Sequence, residues 1–399
     1  MRVAELPQKF IAAKPILEKL TKQGYEAYFV GGSVRDTLLH QEIHDVDIAT
    51  SAYPAEVKAI FKHTVDTGIK HGTIMVLDHG EGYEITTFRT ESGYQDFRRP
   101  DHVTFVRSLK EDLKRRDLTI NALAMDPSGQ VIDLFGGLDD LKAHVIRAVG
   151  VPEERFHEDA LRMMRAVRFV SQLGFKLEQN TRIAITANAK LLDKIAVERI
   201  HVEWVKLLQG KQPQLGLQEF LTTGMYQFCP GLGDQQKNLA EIAALKHLLL
   251  TSEEMVWVLL SRFFGYSPAQ ARQMLIAWKS SNQLIGHVII ALNALGHFPH
   301  PPADVLYQTG LPMLLVANQV AWYDGNAVPE NQLKEWYAKL PIKSSKELAL
   351  TGKDLLEQLN LKPGPQLGAI IKKTEQLVIN GQLANDKKVL LRYAQTLLP

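Results

Sequence analysis

The hydrophobic pattern of this 399-residue chain changes near Gly150, and this change constrains the fold more than any other feature. Before Gly150, short runs with the two-residue period of β-strands alternate with runs that have the 3.6-residue period of helices. After Gly150, only the helical period remains, broken at glycine and proline. The sequence therefore predicts an α+β fold, in which a head with a small mixed sheet and helices precedes an all-helical region.

Residues 1–140 contain all of the predicted strands. We expect helices over residues 10–24, 33–39, 55–62 and 119–125, and strands over residues 28–30, 46–48, 73–77, 83–88, 102–106 and 131–134. The polar segment 89–101 contains Gly and Pro, which predicts a mobile loop. The apolar spacing of residues 156–172 predicts a helix.

Composition excludes several classes of protein. No apolar run reaches the ~20 residues of a membrane-spanning helix, and the start, MRVAELPQKF, lacks the apolar core of an export signal. The single cysteine, Cys229, excludes a disulfide framework and a cysteine-rich zinc site. We therefore expect a cytoplasmic protein that does not span a membrane.

The C-terminal segment is locally basic although the net charge of the chain is only +2. Residues 343–399 hold eight Lys and one Arg against three Glu and two Asp. Such a local excess suits the binding of a polyanion in one groove. Solvated helix faces explain the same composition equally well, so charge alone decides nothing here.

The first group of residues that points to chemistry is Gly31-Gly32-Ser33-Val34-Arg35-Asp36, followed by Asp45-Val46-Asp47. Alternate residues of a strand share a face, so we expect Asp45 and Asp47 to project together. Two adjacent carboxylates repel each other unless a cation lies between them, and hard oxygen ligands select Mg²⁺. The two glycines allow backbone N–H groups to approach phosphates, and Arg35 adds positive charge.

Glu84 is the candidate for a third carboxylate, since it lies inside the predicted strand 83–88, where charged residues are disfavoured. A third carboxylate can orient metal ions or accept a proton. An exposed strand position is the alternative explanation.

A second group is Arg115-Arg116-Asp117, with Asn121 four residues further on. On the predicted helix, Asn121 lies one turn beyond Asp117, so the two side chains share a face. Arginine matches phosphate oxygens, and Asp or Asn can accept hydrogen bonds from ribose hydroxyls. A surface cluster of salt bridges is equally compatible with this spacing.

A third group consists of Asp159, Arg162, Arg165 and Arg168, which recur at intervals of three and predict a charged stripe along one helix. Cytosine and adenine both place an unprotonated ring nitrogen beside an amino group, whereas guanine and uracil place a protonated nitrogen beside a carbonyl. A pair formed by Asp159 and Arg162 therefore accepts C and A and mismatches G and U. A solvated helix with ion pairs between neighbouring turns is the alternative, and the stripe in isolation favours it slightly.

In this order, the motifs resemble those of the bacterial class II CCA-adding enzymes over nearly the whole chain. GGSVRDTLL followed by HDVDIATSAYP is similar to the nucleotidyltransferase motif of that family, and RRDLTINALAMD to its ribose-recognition motif. IDLFGGLDDLK resembles the link between head and neck, and HEDALRMMRAVRF the nucleobase-recognition helix. Residues 197–200 (VERI) resemble the motif that supports this helix, and LPIKSSKELALTGKDLL resembles the family's tail.

The resemblance implies a fold, a reaction and a set of site residues. The fold is a polymerase-β-like nucleotidyltransferase head over residues 1–140, a helical neck over 141–210, a body over 211–325 and a tail over 326–399. The reaction is the addition of C, C and A to tRNA 3′ ends from CTP and ATP. The tail holds the upper half of the tRNA, and the enzyme is expected to be a homodimer. The implied roles are metal binding by Asp45 and Asp47, contacts to the nucleotide by Gly32, Arg35 and Arg116, base reading by Asp159 and Arg162, and assistance from Arg165 and Arg168.

Four other functions compete with this interpretation. A poly(A) polymerase shares the head and neck motifs, but the Arg98–Pro100 segment and the tail favour CCA addition. A CC-adding enzyme is disfavoured because the segment 89–101 is complete. A non-catalytic tRNA-binding protein is disfavoured because Asp45 and Asp47 are present. A metal phosphohydrolase needs further spaced histidines beyond His44.

Overall fold

The computed structural model describes residues 1–95, 99–359 and 362–398 and divides into two compact units, Met1–Leu249 and Leu250–Pro399. The predicted α+β class is confirmed, because the first unit contains a mixed sheet and the described part of the second unit is helical. The finer division into head, neck, body and tail stays a prediction.

The first unit contains the strands. They are β1 (Ala27–Val30), β2 (Asp47–Thr50), β3 (Thr64–Gly68), β4 (Thr73–Asp78), β5 (Glu81–Thr87), β6 (Arg89–Gln95), β7 (Arg99–Phe105), β8 (Leu123–Met125), β9 (Val131–Asp133), β10 (Val145–Ile146) and β11 (Lys176–Leu177). Seven of them form one sheet in the order β3-β4-β5-β2-β1-β8-β9. Strands β6 and β7 form a separate antiparallel pair, and β10 and β11 form a short parallel pair.

Both units contain helices. Those of the first unit are α1 (Gln8–Lys22), α2 (Gly32–Leu38), α3 (Pro54–Ile60), α4 (Leu109–Lys114), α5 (Gly137–Ala143), α6 (Pro152–Glu158), α7 (Leu161–Leu173), α8 (Gln179–Asn188), α9 (Val197–Leu208), α10 (Pro213–Thr222) and α11 (Gln236–Ala243). Those of the second unit are α12 (Glu253–Phe263), α13 (Pro268–Ala277), α14 (Asn282–Leu295), α15 (Ala303–Ala321), α16 (Glu330–Ala338), α17 (Gly352–Gln358), α18 (Pro365–Ile379) and α19 (Lys387–Thr396). Helix α15 is interrupted at Gly310, which has a φ of 71°.

The centre of the sheet is strand β2, which pairs antiparallel with β1 and parallel with β5. Its apolar residues pack into the sheet core, and helix α1 covers this region through a stack of Phe10 on Phe29 with ring centroids 4.2 Å apart. The register places Asp47, the first residue of β2, directly opposite Glu84 of β5. Two acidic residues therefore lie side by side at one end of the central strands.

Two sequence predictions in this unit are wrong. Residues 119–125 do not form a helix, since a 3₁₀ turn at Thr119–Asn121 leads into β8, whose three residues are fully buried beside β1. A short apolar run without polar alternation fits a buried central strand as well as a helix. Residues 89–95 and 99–101 lie in β6 and β7 rather than in a loop, because antiparallel pairing satisfies their backbone groups. Residues 96–98, including Arg98, lie outside the described residues.

The second unit has an apolar core and mostly solvated charges. One cluster packs α17, α18 and α19 together through fully or nearly fully buried side chains such as Leu355, Val378 and Leu390. Within the described parts of the chain, no helix combines the length and the apolar character that crossing a membrane requires.

Candidate active site

A cavity of about 440 Å³ in the first unit collects most of the side chains singled out in the sequence. Its walls come from the first turns of α2 with the glycine before it, the start of β2, the segment after α4, helix α7, and Asp159 in the break between α6 and α7. The lining residues are Gly31, Gly32, Arg35, Asp47, Arg115, Arg116, Asp117, Asn121, Asp159, Arg162, Arg165 and Phe169. Five arginines beside three carboxylates make this a site for a polyanion that also carries polar groups.

The carboxylates predicted to bind metal lie at one edge of this cavity. Asp47 lines it and also lines a second cavity of about 630 Å³, which Asp45 and Glu84 line as well. The side chains of all three are exposed. Strand β2 begins only at Asp47, so the prediction that Asp45 belongs to the same strand is wrong. Asp45 instead lies in the loop that leads into β2, two residues before the strand begins.

At this edge, the surrounding protein shifts the pKa of Asp47. Its side chain faces both cavities, yet the protein around it raises the pKa of the carboxyl through burial. The charge of Arg116 lowers this pKa, and the charge of Asp45 raises it. A positive ion beside the two acids relieves both burial and repulsion, so this edge attracts cations.

The turn before α2 brings backbone close to these groups. Gly31 has a φ of 71°, a conformation that favours glycine. A Cβ atom at Gly31 would lie 3.0 Å from Nη1 of Arg116 and 3.6 Å from Oδ2 of Asp47. A side chain at Gly31 would therefore fill the space between a cation and a carboxylate, where the cavity needs room.

Arg35 projects from α2 and is held in one orientation. Its Nη1 donates to Oδ1 of Asn121 at 2.6 Å, and its Nε donates to Oδ1 of Asp36 at 2.8 Å. Its guanidinium lies 4.9 Å from the ring centroid of Phe169. Because the guanidinium is already held in place, it loses less conformational entropy when it binds an anion than a free side chain does.

Arg115 and Arg116 both form ion pairs with a buried acid, Asp112, which sequence reasoning missed. Asp112 lies one turn earlier on α4, is 1% exposed, and pairs with Arg115 at 2.8 Å and with Arg116 at 3.3 Å. Burial raises the pKa of Asp112, but the two arginines together hold it below its usual range. Nε of Arg116 is buried and donates to no group among the described residues. The spacing of four residues between Asp112 and Arg116 was the signal that could have identified this support.

Asp117 and Asn121 lie together, although not on a helix. Nδ2 of Asn121 donates to Oδ1 of Asp117 at 3.2 Å, across a bend and the 3₁₀ turn Thr119–Asn121. The prediction of a shared helical face is therefore wrong, while the proximity it implied is correct. Nε of Arg165 donates to Oδ2 of Asp117 at 2.7 Å. Burial opposes the charge of Asp117, but Arg165, the hydrogen bond from Asn121 and the charge of Arg162 hold its pKa well below the usual range.

The stripe of charged residues is not one continuous helix. Helix α6 ends at Glu158, Asp159 has extended backbone, and α7 begins at Leu161. In this break, Asp159 accepts a hydrogen bond from the Leu161 backbone N–H at 3.0 Å. Arg199 of α9 donates to Oδ2 of Asp159 at 2.6 Å, which fixes the carboxylate. Asp159 thus leaves the helical stripe and gains two partners that orient it.

The three arginines of α7 have separate partners. Nη1 of Arg162 donates to Glu158 at 2.7 Å, and its Nη2 donates to the Arg115 carbonyl at 2.9 Å. Arg168 pairs with Glu203 of α9 at 2.6 Å and does not line the cavity. Glu203, which is buried, also lies 3.9 Å from Arg165. Sequence reasoning missed Glu203 and the cavity residue Phe169, because Arg168, the partner of Glu203, and Arg35, the partner of Phe169, lie far from them along the chain.

Three segments of the chain match known protein families. Residues 27–147 match the Poly A polymerase head domain. Residues 174–235 match a probable RNA and SrmB-binding site of polymerase A, and residues 248–394 match a putative second domain of tRNA nucleotidyltransferase.

Curated relatives resemble the chain over its full length. The chain is 57% identical to the CCA-adding enzyme of Ligilactobacillus salivarius, over 100% of this chain and 99% of that protein. It is also 57% identical to the CCA-adding enzyme of Lactiplantibacillus plantarum, over 99% and 98%. The crystal structure of the Bacillus stearothermophilus CCA-adding enzyme in complex with CTP superposes with a TM-score of 0.90, 42% identity and 98% coverage of both chains.

Proposed function

The chain belongs to the CCA-adding enzyme family, and from this premise we propose that it adds C, C and A in turn to the 3′ end of tRNA, using CTP and ATP without a nucleic-acid template. One observation carries the proposal. A single cavity places the acidic edge at Asp47 together with a fixed Asp and Arg pair, Asp159 and Arg162, that matches cytosine and adenine.

The proposed reaction joins a tRNA 3′-hydroxyl to the nucleotide. The hydroxyl oxygen attacks the α-phosphorus, a new P–O bond forms, and the bond from the α-phosphorus to the bridging oxygen breaks. Pyrophosphate leaves with that electron pair, and the hydroxyl proton passes to a carboxylate or to water. Glu84 lies opposite Asp47 in the sheet register, so we propose it as a third carboxylate that supports this step.

The family to which the chain belongs generally uses a divalent metal ion, and we propose Mg²⁺ held by Asp45 and Asp47. The donors fit a hard cation, because both are carboxylates and each charge disfavours the other. In the described residues, no group of three or more His, Cys, Asp or Glu side chains can hold a metal ion. Two protein carboxylates therefore need further oxygens, which a triphosphate can supply. Bound there, the ion would neutralise phosphate charge and acidify the attacking hydroxyl.

The positive lining of the cavity suits the triphosphate of the incoming nucleotide. We propose that the backbone of Gly32 and the side chains of Arg35 and Arg116 contact it. The buried Nε of Arg116 supports this role, since a ligand oxygen would satisfy a donor that has no protein partner among the described residues.

Base selection is proposed to rest on Asp159 and Arg162, assisted by Arg165 and, behind the cavity wall, by Arg168. Arg199 orients Asp159, Glu158 and the Arg115 carbonyl orient Arg162, and both Asp159 and Arg162 line the cavity. An unmatched buried polar group costs about 1–3 kcal/mol, so two mismatches with G or U predict rejection by about 10²–10⁴.

The tRNA partner and the assembly state belong to the same proposal. Lysines of residues 343–399 such as Lys372, Lys373 and Lys388 are exposed in the second unit, which suits contact with tRNA backbone recognised by shape. We propose a homodimer in the cytoplasm on the family resemblance.

The decisive experiment supplies tRNA that lacks its 3′ terminus with each labelled nucleotide alone and in combination. Product length on sequencing gels should show two residues added from CTP and one more when ATP is present. A long A tract would instead identify a poly(A) polymerase, and a stop after two residues with both nucleotides present would identify a CC-adding enzyme. Binding of tRNA without any incorporation would identify a non-catalytic tRNA-binding protein.

A further inference from the structure

Five side chains of the cavity wall form a closed ring that begins and ends on helix α7. Arg165 donates to Asp117 at 2.7 Å, Asn121 donates to Asp117 at 3.2 Å, and Arg35 donates to Asn121 at 2.6 Å. The guanidinium of Arg35 then lies 4.9 Å from the ring centroid of Phe169, which is four residues beyond Arg165 on the same helix face. All five residues line the one cavity.

Within this ring, the carboxylate of Asp117 has its acceptor positions filled by protein. Oδ1 accepts from the Leu118 backbone N–H at 2.9 Å and from Asn121, and Oδ2 accepts from Arg165. Nη2 of Arg165 also lies 2.7 Å from Oδ2. A carboxylate offers about four acceptor sites, so these four contacts leave none for a ribose hydroxyl. Asp117 is therefore better placed to hold other residues than to contact the sugar.

The two ends of the ring serve different parts of the nucleotide under the proposed function. Helix α7 carries Arg162 one turn before Arg165, and Asp159 lies two residues before the helix begins. Arg35 lies on α2, three residues beyond Gly32. The ring therefore spans the cavity from the groups proposed to read the base to the groups proposed to bind the phosphates.

We propose that Asp117 is a positioning residue, which closes this ring and thereby fixes the distance between the base-reading groups of α7 and the phosphate-binding turn at Gly32. This inference rests on the proposed function. The ring contacts α7 at two side chains, Arg165 and Phe169. Two contacts restrain both sliding and rotation of the helix, whereas a single contact would not restrain both. A correct base then places the α-phosphate at Asp47, and a mismatched base displaces it.

The test compares Asp117→Asn with the unaltered enzyme, using tRNA that ends in the first C and the substrates CTP, UTP and 2′-deoxy-CTP. Asparagine keeps the shape but removes the charge that pairs with Arg165. We expect kcat with CTP to fall by about 10²-fold, the cost of roughly 1 Å of misplacement. The preference for CTP over UTP should fall by about tenfold, because the base-reading groups of α7 are no longer held at a fixed distance from the phosphate-binding turn. The preference for CTP over 2′-deoxy-CTP should stay unchanged.

Two outcomes overturn the inference. If Asp117→Asn loses the preference for ribose over deoxyribose while the choice of base is retained, then Asp117 contacts the sugar. If all three preferences and kcat match those of the unaltered enzyme, then the ring positions nothing.

Phe169 tests the ring from its other end, in case Asp117→Asn does not fold. Phe169→Tyr keeps an aromatic face for Arg35, whereas Phe169→Leu removes it. The leucine variant should reproduce the loss of kcat and the narrowed choice of base, and the tyrosine variant should restore both. Equal behaviour of the two variants counts against the ring.

Arg182→Gln provides the matched control, since Arg182 forms a two-pronged ion pair with Glu219 between α8 and α10 and does not line the cavity. It should leave kcat and base preference unchanged. Failure of the inference is distinguishable from failure of the proposed function. In the second case the unaltered enzyme itself adds no C, C and A to the tRNA.

Discussion

The two units of the chain differ in how many charged side chains they bury. Among the described residues, the buried charged side chains of the first unit are Asp112, Asp117, Asp140, Arg162, Arg168 and Glu203. In the described part of the second unit, the one buried charged side chain is that of Asp354. The core of this unit instead consists of apolar side chains from α17, α18 and α19, and its lysines are exposed on the outside.

This contrast separates two kinds of recognition. Burying charges is costly, and replacing a buried ion pair by apolar residues is often neutral or stabilising, so such pairs are weak evidence for stability. In the first unit, Asp117 and Arg162 line one cavity, and Asp112 and Glu203 pair with arginines that line it. Exposed lysines on an apolar scaffold suit a polyanion bound by its backbone. On the proposed function, the first unit therefore suits selection of a nucleotide, and the exposed lysines of the second suit contact with the tRNA backbone.

The strongest test of this contrast is the acidic edge of the first unit. Asp47→Asn and Asp45→Asn should each lower nucleotide incorporation by about 10³-fold, since a bound metal ion contributes several kcal/mol and each 1.36 kcal/mol is tenfold in rate. Both side chains are exposed, so the free energy of unfolding should change by less than about 0.5 kcal/mol. Single-turnover incorporation and urea unfolding measure the two effects.

Asp66→Asn is the control for this pair, because Asp66 is an exposed carboxylate on β3 that pairs with Lys58. It should retain full activity. Incorporation that persists after both Asp45 and Asp47 are neutralised contradicts the assignment of the acidic edge.

The next largest effect concerns selection of the base. Asp159→Ala should lower the preference for CTP over UTP by about 10²-fold, because the mismatch with the uracil carbonyl disappears. Arg199→Gln leaves the carboxylate in place but releases it, so it should show a smaller loss of the same kind. Competition assays with mixed nucleotides measure the ratio. Unchanged selectivity in an active Asp159→Ala enzyme refutes base reading by this residue.

The central strands and the glycine turn were predictable because local signals determine them. Strands β1 and β2 coincide with short apolar runs beside Gly31-Gly32 and Asp47. The run at residues 119–125 was misassigned, since an apolar segment carries no period and its place beside β1 depends on residues about 95 positions earlier in the chain. The pairing of β6 with β7 likewise depends on a partner strand, which composition does not reveal.

Most residues that line the cavity were predictable from the sequence, whereas the partners that hold them were not. Spacing brought out Asp159, Arg162 and Arg165 as a set. Their partners are distant in sequence, with 40 residues between Asp159 and Arg199 and 48 between Asp117 and Arg165. Only the fold brings such residues together, so a pattern of spacing cannot distinguish a solvated stripe from a cavity wall.

A smaller effect is expected from the exposed lysines of the second unit. Replacing Lys372 and Lys373 on α18 by Gln should raise KM for tRNA severalfold and lower the salt dependence of binding by about one unit of slope per lost phosphate contact. The rate at saturating tRNA should not change. Titration of tRNA binding at several salt concentrations measures the slope.

Lys237→Gln on α11 is the matched control, since Lys237 is an exposed lysine of the first unit. It should leave the salt slope unchanged. If both variants reduce the salt dependence of tRNA binding equally, the second unit does not differ from the first as an RNA-binding surface.

The smallest effect concerns Asp354, the buried charge in the described part of the second unit, and it tests whether this acid serves stability or recognition. Asp354 accepts from the N–H and Oγ1 of Thr351 and pairs with Lys387 at 2.5 Å. The hydrogen bonds from Lys387 and Thr351 lower the pKa of Asp354 to about 2. A lowered pKa stabilises the folded state above the ordinary value of about 4, and this contribution disappears as the pH falls through about 2.

Asp354→Asn keeps an acceptor for Thr351 but loses the charge. The variant should therefore unfold at slightly lower urea than the unaltered protein at pH 5 to 7, and the difference should vanish toward pH 2. Tryptophan fluorescence reports mainly on this unit, because four of the five tryptophans, Trp257, Trp278, Trp322 and Trp336, lie in it. The choice between CTP and UTP should stay the same, unlike that of Asp117→Asn. If the choice between CTP and UTP does change, then Asp354 also takes part in recognition, and the two units do not differ in the role of their buried charges.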